Sequence, residues 1–423
     1  MAFARHPIFG LLTYVAVFYL HPPSRWWGQG ILLSVRWALI SALVALLATW
    51  LWQRKLHDRR MPRGLVRGIL LFVGWMLVQW SWSMNPDQQL ELTGLFAKYA
   101  LLVWLIYRCV DSVTHLKYFL WTHVLGCFYL GWIVFTTHIG GRFEGFGGPG
   151  IQEANTGAMQ LATGVFTASA LLLAGKWLER AGLLVQIPFV VNGIIATVSR
   201  SATLAFVFGG LVFNLLIPRR LRWLVRALSI LAVGLFVMLT SEGFWERMDT
   251  LKYGGERVEG KDTGGGRLEI IAAQWRMFEA HPFGCGHRCT IDLSRTYLPD
   301  ELLTGVQAGP RGRASHNTLM TMLVEHGIPG GIFYFAMVWW TVRRALQLSA
   351  RLRNDDNFLA LMLPAVAATL AAILIGDQFV DYLKLEVRFW FMAILMVMLA
   401  MTESRPLVDS RQNAVSYRQA AGR

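Results

Sequence analysis

Four basic side chains stand in polar or glycine-rich stretches of an otherwise apolar chain: Arg142, Arg200, Arg267 and His316. Arg267 follows Gly264, Gly265 and Gly266 and opens an amphipathic run. Glycines ahead of a helix leave backbone N–H groups free to face an anion, and an arginine there presents a planar fork suited to phosphate oxygens. Arg142 lies in IGGRFEGFGG and Arg200 in TVSRSATL. Taken singly, an arginine at a membrane boundary is more often a snorkelling anchor. Three together on one side, where arginine should be depleted, point instead to an anionic lipid head group.

His316, in SHNTL, titrates near neutrality and can take a proton from a hydroxyl nucleophile, while Asn317 beside it can orient a sugar. A lone histidine at a helix start is often structural, so the assignment leans on the arginines around it. Glu325 and His326 follow at a helix break, where Glu325 can assist in orienting an acceptor or serve packing and capping. With His316 and Arg267 as the catalytic pair, these groups suffice for glycosyl transfer without a metal or other cofactor. No carboxylate pair suited to a metal-bound nucleotide sugar stands in the same loops, and Asp355 and Asp356 fall on the opposite side. His281, Cys285, His287 and Cys289 crowd into one short stretch, but their spacing matches no standard zinc site. A Cys285 to Cys289 disulfide, or two free thiols, is the preferred reading there.

These residues need a scaffold, and the composition says which kind. With 55% hydrophobic and 16% charged residues, 18 Trp and 25 Phe, the chain reads as an all-α polytopic membrane bundle. Apolar blocks recur from Ile8 to Leu20 and Ile31 to Trp52 through to Glu386 to Met401, giving about twelve spans. The net charge of +14 sits mostly in short loops such as QRKLHDRRMPRGLVR, PRRLR and VRRALQLSARLR. All fall on one side if both termini are cytoplasmic, so the charge reports topology and calls for no nucleic-acid partner. Cys109 and Cys127 read as packed thiols.

The organisation expected is therefore N-terminal spans over residues 1–240, an outer catalytic loop with short helices over 241–327, and C-terminal spans with a tail over 328–423. Leu268, Ile271, Ala272, Trp275 and Phe278 recur at helical spacing, which predicts an amphipathic helix over Arg267 to Ala280 lying on the membrane or the bundle. Gly327, Pro329, Gly330 and Gly331 predict a break separating a short outer helix after His316 from the span beyond. A transporter would carry ionisable groups deep in several spans. Arg36 and Lys98 are among few candidates, and no internal repeat is evident.

The stretches GRFEGFGGPGIQEANTGAMQLA, VSRSATLAF, GGGRLEIIAAQWRMFEAHPFGCG and SHNTLMTMLVEHGIPGG, in this order, resemble the O-antigen ligase and polymerase superfamily of bacterial inner-membrane glycan transferases. The resemblance implies a glycan donor carried on undecaprenyl diphosphate, a periplasmic site, Arg142, Arg200 and Arg267 on the diphosphate, and His316 as the group that activates the acceptor. The chain departs from the family pattern at Cys285, where an apolar residue usually stands between the two glycines. The acceptor differs within the superfamily: lipid A-core sugar for a ligase, a second lipid-linked repeat for a polymerase, a protein hydroxyl for an O-oligosaccharyltransferase. One modest outer loop without a large added domain favours the ligase. A lipid-linked glycan transporter is the rival from another class.

Overall fold

The structure, a computed structural model, describes residues 1–56, 61, 63–240, 242–249, 266–303, 312–353 and 355–403. Gly264 and Gly265, and the basic pair Arg59 and Arg60, lie outside the described residues. Every apolar block read from the sequence is helical. Among the described residues, seven helices are long and apolar enough to cross a membrane: Gly64–Trp82, Pro86–Cys109, Val113–Thr137, Ala154–Ala174, Trp177–Ala196, Arg219–Met238 and Phe358–Gly376. Ile8–Ser24, Trp37–Trp52 and Arg200–Leu216 are shorter apolar helices. The block from Ile31 to Trp52 is divided, with Val35 and Arg36 separating Ile31–Ser34 from Trp37–Trp52.

Helix ends follow ordinary capping chemistry. Ser112, Ser199, Asn317 and Asn357 each accept a backbone N–H three residues on, satisfying a donor that the first turn otherwise leaves bare. Burial then sorts the helices into inner and outer. Glu386–Glu403 is buried nearly all round, with Phe389, Trp390 and Phe391 sealed inside, so it forms the centre of the bundle. Phe358–Gly376 packs between this core and the helices Ala154–Ala174 and Arg200–Leu216. Apolar side chains such as Trp223, Ile230, Leu231 and Met238 stay exposed on the periphery, as a lipid-facing surface requires.

The two ends of the bundle differ in chemistry. At one end Arg220 pairs with Asp356 at 3.1 Å and Arg351 with Glu403 at 2.8 Å, so two of the basic loops meet there. The other end carries a cap with its own small core of Ile270, Ala273, Met277, Cys285, Cys289, Leu298, Leu302 and Val324. Arg267–Ala280 has the predicted bounds, but its buried face is Ile270, Ala273, Gln274 and Met277. Leu268, Ile271 and Trp275 are instead exposed, because the cap core claims the adjacent stripe and leaves this one outward. Arg36 and Lys98 are exposed as well; among the described residues the least exposed charges are Asp377 and Arg388, which bond each other.

The break expected after His316 is present. The helix Thr318–Leu352 is interrupted at Gly327, whose φ of 67° lies in the left-handed region. A Cβ there would stand 2.5 Å from the Pro282 carbonyl oxygen and 2.6 Å from the Gly284 nitrogen. Gly284 is equally constrained, with φ 78° and a would-be Cβ 2.6 Å from the Gly327 nitrogen. Backbone therefore meets backbone, and Ile328 N–H donates to the Pro282 carbonyl at 2.9 Å. Gly327→Ala should add a left-handed penalty to this clash and cost on the order of 1–3 kcal/mol. A lowered thermal midpoint of the purified protein in detergent checks this; an unchanged midpoint contradicts the close approach.

Candidate active site

His316 stands just ahead of the helix that Asn317 caps; Asn317 Oδ1 accepts the Met320 N–H at 3.0 Å while its Nδ2 donates to the Gln378 carbonyl at 3.4 Å. Thr318 N–H donates to the Asp377 carbonyl at 2.8 Å, and its hydroxyl donates to Asp377 Oδ1 at 2.9 Å. The start of this helix is thus fixed on the loop that precedes the central helix. Arg267 reaches the same loop from the cap, its guanidinium 5.8 Å from the centre of the Phe379 ring.

Arg200 is the first residue of Arg200–Leu216 and is almost fully buried, at 9% exposure. The residues on either side of it bind one partner: Ser199 and Ser201 donate to Asn155 Oδ1 at 2.6 and 3.5 Å. The Asn155 carbonyl accepts the Tyr382 hydroxyl at 3.0 Å, and Tyr382 N–H donates to Thr318 Oγ1 at 3.0 Å. A continuous polar path therefore leads from the Arg200 corner to the His316 corner. Val198, two residues before Arg200, has φ 46°, a strained value for a β-branched side chain.

Arg142 belongs to the loop after Val113–Thr137. It pairs with Glu144 at 3.3 Å, and its neighbour Phe143 donates its N–H to the Ala196 carbonyl at 2.8 Å, four residues before Arg200. All four basic residues singled out in the sequence thus stand at one end of the bundle. Glu325 does not join them. Its carboxylate is bonded to His287 Nδ1 at 2.8 Å within a buried cluster at the far end of the short helix. Cys285 and Cys289 form a disulfide, which settles the alternatives left open by their spacing. Cys109 and Cys127 are buried thiols.

One residue was missed. Arg313, three positions before His316 in RGRASHN, is 8% exposed; its N–H donates to Ser294 Oγ at 2.9 Å and its Nη1 to the Leu302 carbonyl at 3.1 Å. Burial, and then the charges of Arg267 and Arg313, hold the His316 imidazole down to about 4. The ring is therefore neutral at pH 7 and free to accept a proton. The only sequence signal was a second arginine close before the histidine, indistinguishable there from an ordinary loop charge.

A helical membrane bundle that gathers guanidinium groups and a neutral imidazole at one end is equipped to hold an anion beside a proton acceptor. Residues 187–335 match the family model described as O-antigen ligase, in support of the O-antigen ligase and polymerase superfamily. The matched stretch includes Arg200, Arg267, Arg313 and His316 and begins after Arg142. No curated protein matches the chain.

Because diethyl pyrocarbonate modifies only the neutral imidazole, its reaction at His316, followed by peptide mass spectrometry, should persist well below pH 6.5 and fall with a midpoint near pH 4. Arg313→Leu removes a cation, so the midpoint should rise. A midpoint near 6.5 in the unmodified chain would contradict the electrostatic environment described.

Proposed function

We propose that the protein is an O-antigen ligase: it transfers a preassembled glycan from undecaprenyl diphosphate to a sugar hydroxyl of lipid A-core, at the periplasmic face of the bacterial inner membrane and with both termini cytoplasmic. The described residues 266–303 and 312–327, with the start of the broken helix, form the reacting end. One observation carries the reading most directly: His316, kept neutral by burial and by the charges of Arg267 and Arg313, stands at the same end of the bundle as Arg142 and Arg200.

In this reaction the acceptor hydroxyl gives its proton to the His316 imidazole as its oxygen attacks the anomeric carbon. The bond from that carbon to the diphosphate oxygen breaks on the opposite face, with inversion, and the electron pair leaves with the diphosphate. Arg142, Arg200 and Arg267 stabilise the charge that grows on the leaving group, in a partly desolvated site where such contacts strengthen. Arg313 keeps the imidazole unprotonated before the hydroxyl arrives. Asn317, fixed as the helix cap, holds the edge of the acceptor site through the amide hydrogen that its bond to the Gln378 carbonyl leaves over.

The test is transfer by the purified protein alone, from a defined undecaprenyl-diphosphate oligosaccharide to lipid A-core, with a second lipid-linked repeat and a protein as competing acceptors. Glycosylated lipid A-core is the expected product. Chain growth on the repeat would make the protein a polymerase, protein glycosylation an O-oligosaccharyltransferase, and passage of the donor across a vesicle membrane without a new glycosidic bond a transporter. His316→Ala should lower the rate by roughly a hundredfold or more, and Arg267→Ala by a comparable factor. Near-normal turnover of either variant removes that residue from the chemistry.

A further inference from the structure

The buried polar groups at the far end of the short helix have no part in this transfer, and they converge on His326. Gln79 Nε2 donates to two carbonyls, Glu325 at 2.7 Å and Phe283 at 3.2 Å, which fixes the orientation of its amide. Its Oε1 must then accept, and it faces His326 Nδ1 at 2.9 Å. The proton of His326 is therefore on Nδ1, leaving a lone pair on Nε2. That atom is buried without a hydrogen-bond partner on a side chain with 0% exposure. A buried polar atom left bare costs about 1–3 kcal/mol unless something occupies it.

Two further donors surround the same point. His287 Nδ1 and Glu325 Oε2 lie 2.8 Å apart, and ligand atoms from His287, Glu325 and His326 all fall within 4.8 Å of one another. All three residues are buried. The supporting frame is fixed: Gln89 Oε1 accepts the His287 N–H at 2.7 Å, Gln89 Nε2 donates to Gln79 Oε1 at 3.2 Å, and Gly286 N–H donates to the Glu325 carbonyl at 2.9 Å. Cys285 and Cys289 are joined to each other, so the donors offered are nitrogen and oxygen alone. Asp381 and Lys384 face the cluster from the loop before the central helix with opposite charges, leaving Glu325 as the uncompensated negative charge beside the two imidazoles.

We propose that His287, Glu325 and His326 bind a zinc ion that fastens the Gly284–His287 turn to the break at Gly327. Two imidazoles and one carboxylate are a donor set that zinc accepts, with water in the fourth position. Bonds of about 2.0–2.2 Å bring tetrahedral donors to roughly 3.3 Å apart, a contraction that rotation of three side chains supplies. The hydrogen bond from His326 Nδ1 to Gln79 is the outer contact that orients a metal-bound histidine. Glu325 lies nine residues beyond His316, on the order of 13 Å along a helix, so the role is architectural and independent of the transfer proposed above.

The full chain, purified in detergent without chelator, should contain about one zinc per molecule. Chelation should remove the metal and lower the thermal midpoint, and zinc alone should restore both. Cobalt added to the stripped protein should give the visible absorption of a tetrahedral centre. His326→Phe should abolish stoichiometric zinc. His115→Ala, in the half-buried His6, Asp111 and His115 group at the opposite end, should retain it, and this second variant decides the matter if the first does not fold. Wild-type protein that holds no zinc even after titration overturns the proposal. So does zinc that survives His326→Phe or is lost from His115→Ala.

Discussion

The Asp377 carboxylate is the fixed point of the reacting end. It bonds both terminal nitrogens of Arg388, and it accepts the hydroxyls of Thr318 at 2.9 Å and Tyr334 at 3.1 Å. Both charges are buried, at 0% and 2% side-chain exposure. Removing two such ions from water costs several kcal/mol each, so a buried pair is weak evidence for stability by itself. Here it fixes registry. A carboxylate that must keep four donors allows Thr318 only one position, and Thr318 is two residues from His316. The location of the imidazole is thereby set by a charge on the most buried helix of the bundle rather than by the loop in which it sits.

The cap is held by a different device, close backbone contact. Gly284 and Gly327 meet where neither tolerates a Cβ, and Trp75 Nε1 donates to the His326 carbonyl at 2.9 Å while Trp82 Nε1 donates to the Gly284 carbonyl at 3.0 Å. The break thus frees carbonyls that a continuous helix would have used internally: the Trp75 indole takes up that of His326, and the Cys285 and Gly286 N–H groups take up those of Val324 and Glu325. A broken helix at membrane depth is tolerated because its backbone groups are satisfied by neighbours, and the same break lets the short segment after His316 leave the axis of the span behind it.

Local signals were legible in the sequence, and pairings across long separations were not. The bounds of Arg267–Ala280 follow from glycine before and His281-Pro282 after, both of which act within one turn. The break at Gly327 follows from clustered glycine and proline. Which stripe of Arg267–Ala280 faces inward did not follow, since the helix has two apolar stripes and only the docking of Cys285, Leu302 and Val324 chooses between them. Asp377 and Arg388 were read past because one charge at a helix end and one inside an apolar block look unrelated until folding places them together. Glu325 was assigned to the acceptor by proximity in sequence to His316, yet the helix turns its carboxylate toward His287, while Gln79, 246 residues away, holds its backbone carbonyl.

The environment of His316 bears on the order of events in the proposed transfer. With the site empty, burial and two guanidinium groups favour the neutral ring, which leaves a proton acceptor that is ready but weak. A bound diphosphate brings negative charge against the same guanidinium groups and offsets their field at the imidazole, so the ring becomes more basic as the donor settles. Basicity is then greatest when donor and acceptor are both present, and the acceptor hydroxyl loses its proton only beside a leaving group already held for departure. The strain at Val198 fits the same economy, because a left-handed residue two positions before Arg200 is stored where a guanidinium must be aimed before its anion arrives. Cations that silence a base in the free enzyme thus become, on binding, the groups that release it.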